Sequence, residues 1–345
     1  MVVRFVAFDK LDGIPHIIVD SGETASTELV LSHWPGVQTP VSLKSDLSAG
    51  VVMNYLRQVY PRPEVSVIST SHFDVDGLVS VYAIVNPEQA MKHWRLWLDV
   101  ACAGDFRYSR SAIARRLAAV CDSWASPDRS PLGAKAFHQP IDRVTEMLFQ
   151  DLLSRLDEIC RNLQRYKSLW EETEDSYAET WEMVKSGLIT VEEYDDQELS
   201  IIRLSDSLIN CLADQHQSKY FGLSEFAIHE IARHFTILLR LDHYYQVAQR
   251  YESWVQYCSR PIRLRRDFAA LVELLNELEC DKWRYEGVWK LAPVMSLASQ
   301  QESQLDESKF ISLVCSFLEL APVAWNPYYP AINSNAKASI EHTHF

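Results

Sequence analysis

Val65-Ser66-Val67-Ile68-Ser69-Thr70-Ser71-His72-Phe73-Asp74-Val75-Asp76-Gly77-Leu78-Val79-Ser80 is the stretch from which the rest of the chain is read. It begins as a short β-branched run, the pattern of a buried strand, and passes through a polar turn into Gly77-Leu78-Val79-Ser80-Val81-Tyr82-Ala83-Ile84, which has helical character. Beyond the end of a strand, alternation of faces no longer keeps neighbours apart. His72, Asp74 and Asp76 can therefore converge on one point, with Gly77 permitting a sharp change of direction. Carboxylates held that close, beside an imidazole, repel one another unless a cation sits among them or one is protonated. Oxygen and imidazole donors suit Mn²⁺, Mg²⁺ or Zn²⁺ better than a thiolate-loving metal.

Two alternatives compete with a metal site. An EF-hand loop also spaces acids before a glycine, but it needs a ligand at its first position and a glutamate at its twelfth, where this chain has His72 and Ala83. The second is an Asp-rich turn that caps the following helix, where carboxylates are favoured by the helix dipole and by the open N–H groups.

The turn resembles motif I of the DHH phosphoesterase superfamily, whose RecJ-type members carry an acidic D-x-D-x-D-G-x-x-S turn after a buried strand. Here it stands as His72-Phe73-Asp74-Val75-Asp76-Gly77-Leu78-Val79-Ser80, with His72 in the place of the first acid. Other branches of the superfamily place a histidine in this turn at a different spacing. The chain is also similar to an uncharacterised bacterial family with the same HFD-x-DGL turn, an upstream LSHWPG (Leu31 to Gly36) and a downstream RYESWV (Arg250 to Val255), a likeness that implies no activity. Asp242-His243-Tyr244 echoes the triplet that names the superfamily, but its third residue is Tyr and it falls in a predicted hairpin turn, so no role is carried over.

With 345 residues the chain can hold two domains of ordinary size, roughly 100 to 200 residues each. A 47% apolar composition excludes collagen-like and broadly disordered classes. The net charge of −14 argues against bulk nucleic-acid binding, which needs a surplus of Lys and Arg. Seven scattered cysteines with no CxxC pair read as reduced thiols of a cytoplasmic protein. The start lacks the pattern of a signal peptide, and no apolar run reaches about 18 residues, so no membrane partner is expected.

Three short strands are predicted at Val2 to Phe8, His16 to Val19 and Glu28 to Ser32, then a helix from Asp46 to Val59 closed by Pro61 and Pro63. After the central strand and its turn come a short helix from Pro87 to His93 and a further strand over Leu96 to Ala101. This alternation indicates a mainly parallel, Rossmann-like sheet, in which ligands bind beyond the carboxyl ends of the strands. Those ends offer Asp20, His33, the His72/Asp74/Asp76 turn, and Asp99 or Asp105 as metal ligands. Arg107, Arg110, Arg115 and Arg116 follow on or before a helix, as a phosphate clamp or a solvated face.

Apolar residues recur every three or four positions from Gln139 to Lys185, the mark of one long amphipathic helix or two nearly collinear ones. Such a helix bridges two domains or packs on a second chain as a homodimer. A hairpin over Leu188 to Leu204, a helix from Leu223, paired strands over 235–241 and 244–254, a helix from Phe268 to Leu278, a strand at Trp283 to Tyr285 and a helix from Glu307 to Leu320 complete the reading. His229 and His234 stand five apart, not four, so a zinc-protease helix is rejected. The expected architecture is α/β: a DHH-like domain over 1–133, a helical connector over 134–187, a smaller α+β C-terminal domain over 188–325 and a poorly ordered tail from 326. The resemblance implies a metal-dependent, phosphoesterase-like hydrolase acting on a small phosphorylated or nucleotide substrate. In that reading Asp74, Asp76 and His72 are catalytic, Mn²⁺ or Mg²⁺ is the cofactor, and Arg250, Glu252, Arg263 and Arg265 hold the anionic substrate. The alternative is a non-catalytic binding or scaffold protein that keeps the fold.

Overall fold

The computed structural model describes residues 3–58, 63–212, 215, 218–262, 264–280, 282–298 and 301–329. The chain divides into two compact units: Met1–Asp175 with Val255–Pro261, and Ser176–Trp254 with Ile262–Phe345.

The first unit is built on four short strands, β1 (Arg4–Phe5), β2 (His16–Val19), β3 (Thr27–Leu31) and β4 (Val67–Ser69), in the order β1-β4-β2-β3 with every neighbouring pair parallel. The two inner strands, β2 and β4, are buried at every residue. A strand covered on both faces has no polar side to show, which is why β2 is apolar after His16, itself buried and bonded to Thr27 Oγ1 at 2.9 Å, and β4 is Val-Ile-Ser. Helices α1 (Ser48–Arg57), α2 (Val75–Val85), α3 (Pro87–Lys92), α4 (Trp94–Phe106) and α5 (Ala112–Ala125) follow in order. α2 lies across β1, β2 and β4 and packs on α1 and α4.

The predicted strand at Leu96 to Ala101 is instead part of α4. Trp97, Val100 and Ala101 are buried at helical spacing, and the apolar run hides that period. Gly104 permits a close helix crossing, since a Cβ there would meet the Val75 side chain of α2 at 2.4 Å. Asp105 is thus delivered by the last turn of a helix. Asp99 instead ties the α4–α5 turn, accepting from Arg110 N at 2.7 Å and from Ser111 Oγ at 2.8 Å.

The long amphipathic segment is two helices, α6 (Ile141–Arg161) and α7 (Lys167–Lys185), broken by a 3₁₀ turn at Leu163–Tyr166. Its apolar stripe is used within the chain: Phe149 of α6 stacks on Phe5 at 4.5 Å and meets Phe73 edge-on at 5.3 Å. The basic segment is likewise engaged internally, with Arg115 and Arg116 on Glu174 of α7 and Arg107 on Asp122 of α5. The division between the units falls within α7.

The second unit contains β5 (Ile189–Tyr194), β6 (Leu199–Leu204), α8 (Glu225–Ile231), β7 (Thr236–Leu241), β8 (Tyr244–Gln249), β9 (Arg265–Arg266), α9 (Ala269–Glu279), β10 (Trp283–Tyr285), β11 (Val294–Leu297), α10 (Glu307–Leu320) and β12 (Val323–Trp325). Six strands form one sheet in the order β10-β11-β8-β7-β6-β5, antiparallel except for β6 and β7, which the α8 crossover makes parallel. Phe310 stacks on Tyr245 at 4.3 Å and on Trp283 at 5.1 Å in its core. Three differences from the sequence reading stand out. The chain leaves β8 at Gln249, so Arg250 to Trp254 is not strand and contains a 3₁₀ turn at Tyr251–Ser253. β11 and the β9–β12 pair add strands too short to announce themselves. Of the expected tail, 326–329 make a turn closed by Tyr329 N–H donating to Asn326 O at 3.1 Å, while 330–345, with His342 and His344, lie outside the described residues. Among the described residues no helix is long and apolar enough to cross a membrane.

Candidate metal centre

All six residues expected at the carboxyl end of the parallel sheet come together there. Asp20 follows β2 with φ 46°, a left-handed conformation that Asp adopts more readily than most residues. His33 follows β3 by two residues, His72 lies in the turn after β4, Asp74 is the N-cap of α2, Asp76 sits in the first turn of α2, and Asp105 closes α4.

Asp20 is the hub. Its Oδ1 lies 3.3 Å from His33 Nε2, and its Oδ2 lies 3.6 Å from His72 Nε2. His33 Nε2 is also 3.8 Å from Asp76 Oδ2 and 3.5 Å from Asp105 Oδ2, and His72 Nε2 is 2.9 Å from Asp74 Oδ2. Asp20–His72–Asp74 and Asp20–His33–Asp76 each present three ligand atoms within 4.8 Å of one another, with Asp20 common to both. Two carboxylate oxygens, Asp20 Oδ2 and Asp105 Oδ2, are buried without a hydrogen-bond partner. Orphaned acceptors of that kind are rare in folded proteins and ask for a donor or a cation.

The helices explain why the acids stay where they are. Asp74 Oδ1 accepts from Gly77 N at 2.7 Å, the cap expected of this turn. Asp76 reaches instead to the start of α1, where Oδ2 accepts from Ser48 N at 2.7 Å and Oδ1 from Ala49 N at 2.8 Å. The capping reading of the turn is therefore met twice, by Asp74 on α2 and by Asp76 on α1. His33 is fixed by its other ring nitrogen, Nδ1, which lies 2.6 Å from Asp46 O and so acts as donor to that carbonyl. Gly77 leaves room for the hub, because a Cβ there would stand 3.0 Å from Asp74 Oδ1 and 3.3 Å from Asp20 Oδ2.

The electrostatics are those of an excess of negative charge in a dry place. Burial pulls the imidazoles of His33 and His72 down, yet the surrounding carboxylates outweigh it, Asp20 and Asp76 for His33 and Asp74 and Asp20 for His72, and hold both up to about 9. Burial and the Asp20 charge push Asp76 up to about 7. Asp105 is driven well above the usual carboxylate range by burial and by Asp76. Asp20 alone goes down, to about 2: burial opposes its ionisation, but His33, His72 and Ser48 outweigh that. Burial and neighbouring charge thus raise Asp74, Asp76 and Asp105 as well as both imidazoles and leave Asp20 as the carboxylate held ionised, and a divalent cation would compete with the protons those groups take up.

Sequence reading missed the supports. Ser48 donates Oγ–H to Asp20 Oδ1 at 2.6 Å and accepts from His33 N at 3.1 Å, and a serine opening a predicted helix is the signal that could have found it. Residues 255–261 return from the distant half of the chain: Gln256 N–H donates to His33 O at 3.1 Å, and Ser259 N–H donates to Asp46 Oδ1 at 2.8 Å. Nothing in the sequence announces that return.

The residues expected to hold substrate have internal roles in the second unit. Arg250 and Glu252 form a buried ion pair, and Arg250 Nη1 also donates to His229 O at 3.2 Å and Ala232 O at 3.3 Å. Arg265 donates Nε–H to Ser253 Oγ at 2.7 Å and its remaining nitrogens to the carbonyls of Val288, Lys290 and Leu291. Neither guanidinium keeps a nitrogen for an external anion. Arg263 lies outside the described residues.

The chain belongs to a family of unknown function, DUF6687, whose model matches residues 1–329. No curated protein and no solved structure matches it.

Proposed function

We propose that this member of the family is a metal-dependent hydrolase of the phosphoesterase kind, acting on a small phosphorylated or nucleotide substrate with Mn²⁺ or Mg²⁺ held in the cluster. The observation that carries the reading is the sharing of Asp20 between two sets of three ligands. Asp20, His33, His72, Asp74 and Asp76 would hold the metal, and this oxygen-rich donor set suits hard divalent ions. Bound cations would lower the pKa of a water and polarise a phosphoryl oxygen. The chain's own residues do the rest. Ser48 and Asp46 orient Asp20 and His33, and Asp74, whose side chain is 33% exposed, forms the open side through which a substrate reaches the site. The likeness of His72 to Ser80 to motif I of the DHH phosphoesterases points the same way.

The test is metal content and phosphoester hydrolysis of the full chain after loading with Mn²⁺. The wild type should retain metal through desalting and cleave small phosphoesters, and Asp20→Asn should lose both, with affinity down by about 100-fold or more. Metal retained in Asp20→Asn would overturn the reading. A scaffold reading has one observation in its favour, the capping of α1 and α2 by Asp76 and Asp74. It expects no metal in the wild type and a loss of stability in Asp76→Asn.

A further inference from the structure

The second unit contains a cleft of about 300 Å³ where β8 ends and β7 begins, lined among others by Gln249, Arg266, Glu198 and Glu319. Gln249 is 2% exposed, yet its Oε1 has no hydrogen-bond partner, and neither has the buried Nη1 of Arg266. The rest of the Gln249 amide is committed, because Nε2 donates to Arg266 O at 3.3 Å, which leaves Oε1 as an open acceptor. Buried hydrogen bonds left unmade are costly, so two beside one cleft call for an outside partner that accepts from a guanidinium and donates to an amide.

The other lining groups narrow that partner. Glu198 and Glu319 bring negative charge, and Glu319 stands in the last turn of α10, where the open helix carbonyls favour a cation. The cleft thus offers a guanidinium nitrogen for an anion together with acceptors for an ammonium. Its volume is at the lower end for ligand sites, the size of a small metabolite. We infer that it binds a zwitterion of the α-amino acid type, with the carboxylate on Arg266 and the ammonium on Gln249 Oε1 and the Glu198 and Glu319 carboxylates. This site is independent of the metal cluster in residues and in chemistry.

The experiment is a thermal-shift screen of the full chain with the twenty L-α-amino acids, each at about 10 mM, followed by calorimetric titration of those that stabilise. Methyl esters and N-acetyl derivatives of the same amino acids remove one charge at a time. At least one amino acid should bind with unit stoichiometry, and both derivatives should bind at least about tenfold more weakly, as should the parent amino acid to Arg266→Gln. Glu319→Gln, on an exposed position, should weaken the amino acid and leave the N-acetyl form unchanged, which keeps the inference testable if Arg266→Gln fails to fold. Asp20→Asn should bind as wild type. Silence from all twenty, or an ester that binds as well as its parent, would overturn it and leave the cleft to water alone.

Discussion

Two buried charged groupings, one in each unit, meet the cost of desolvation differently. In the second unit Arg250 and Glu252 match one cation to one anion, and the guanidinium nitrogens are engaged by Glu252 and by the carbonyls of His229 and Ala232. In the first unit four carboxylates face two imidazoles, and two carboxylate oxygens are left without a hydrogen-bond partner. A buried ion pair with every group satisfied is a structural device, whereas a surplus of carboxylates with open lone pairs is a set of groups that could hold a metal ion.

The contrast can be broken from the second unit first. Arg250→Ala strands the Glu252 carboxylate in a dry interior and should cost about 3–5 kcal/mol in chemical denaturation, while replacing both partners with Met and Leu recovers most of it. A single-variant loss below about 1 kcal/mol would erase the distinction.

The pH dependence sharpens it next. His33 and His72 are held up to about 9 from 6.5, and Asp76 up to about 7 from 3.8, so the folded state binds extra protons on all three. The Asp76 contribution is complete below 3.8 and lost as pH rises through about 7, and the histidine contributions are complete below 6.5 and lost as pH rises through about 9. Metal-free protein should therefore lose several degrees of melting temperature between about pH 5 and pH 9. Under the proposed function Mn²⁺ would take the place of those protons, so the stabilisation it confers should grow over the same range. Asp20, lowered to about 2, works in the opposite sense but only in acid below that window. A melting temperature that rises from pH 5 to pH 9 without metal would contradict the proton-rich cluster.

The smallest effect is expected at Gly77. Gly77→Ala would put a methyl 3.0 Å from Asp74 Oδ1 and 3.3 Å from Asp20 Oδ2, so Mn²⁺ affinity should fall roughly three- to tenfold while stability changes by less than about 1 kcal/mol. Unchanged affinity in direct titration would place the ion elsewhere.

Much of this site was legible because parallel sheets gather the ends of their strands on one edge. Asp20, His33 and the His72 to Asp76 turn each follow a short β-branched or apolar run, and that pattern survives in sequence. Asp105 stands on a helix where the sequence predicts a strand end: Leu96 to Ala101 has the composition of a strand, and its helical period shows only in which residues are buried. Arg250 and Arg265 misled for the opposite reason. A basic, aromatic-flanked stretch looks alike whether its guanidiniums face a ligand or are consumed by carbonyls, and carbonyl partners leave no trace in sequence. β9 and β12 consist of two and three residues, too few to carry a period.

Val255–Pro261 belongs to the first unit although the chain on either side of it belongs to the second. The catalytic half proposed here is therefore not an uninterrupted stretch of polypeptide. Severing the gene product at Asp175 would discard the donors that Gln256 and Ser259 lend to the His33 and Asp46 loops, so an isolated N-terminal fragment should hold metal poorly even if every ligand is retained. Moving residues 1–175 alone into another protein should therefore lose the donors of 255–261 along with the second unit.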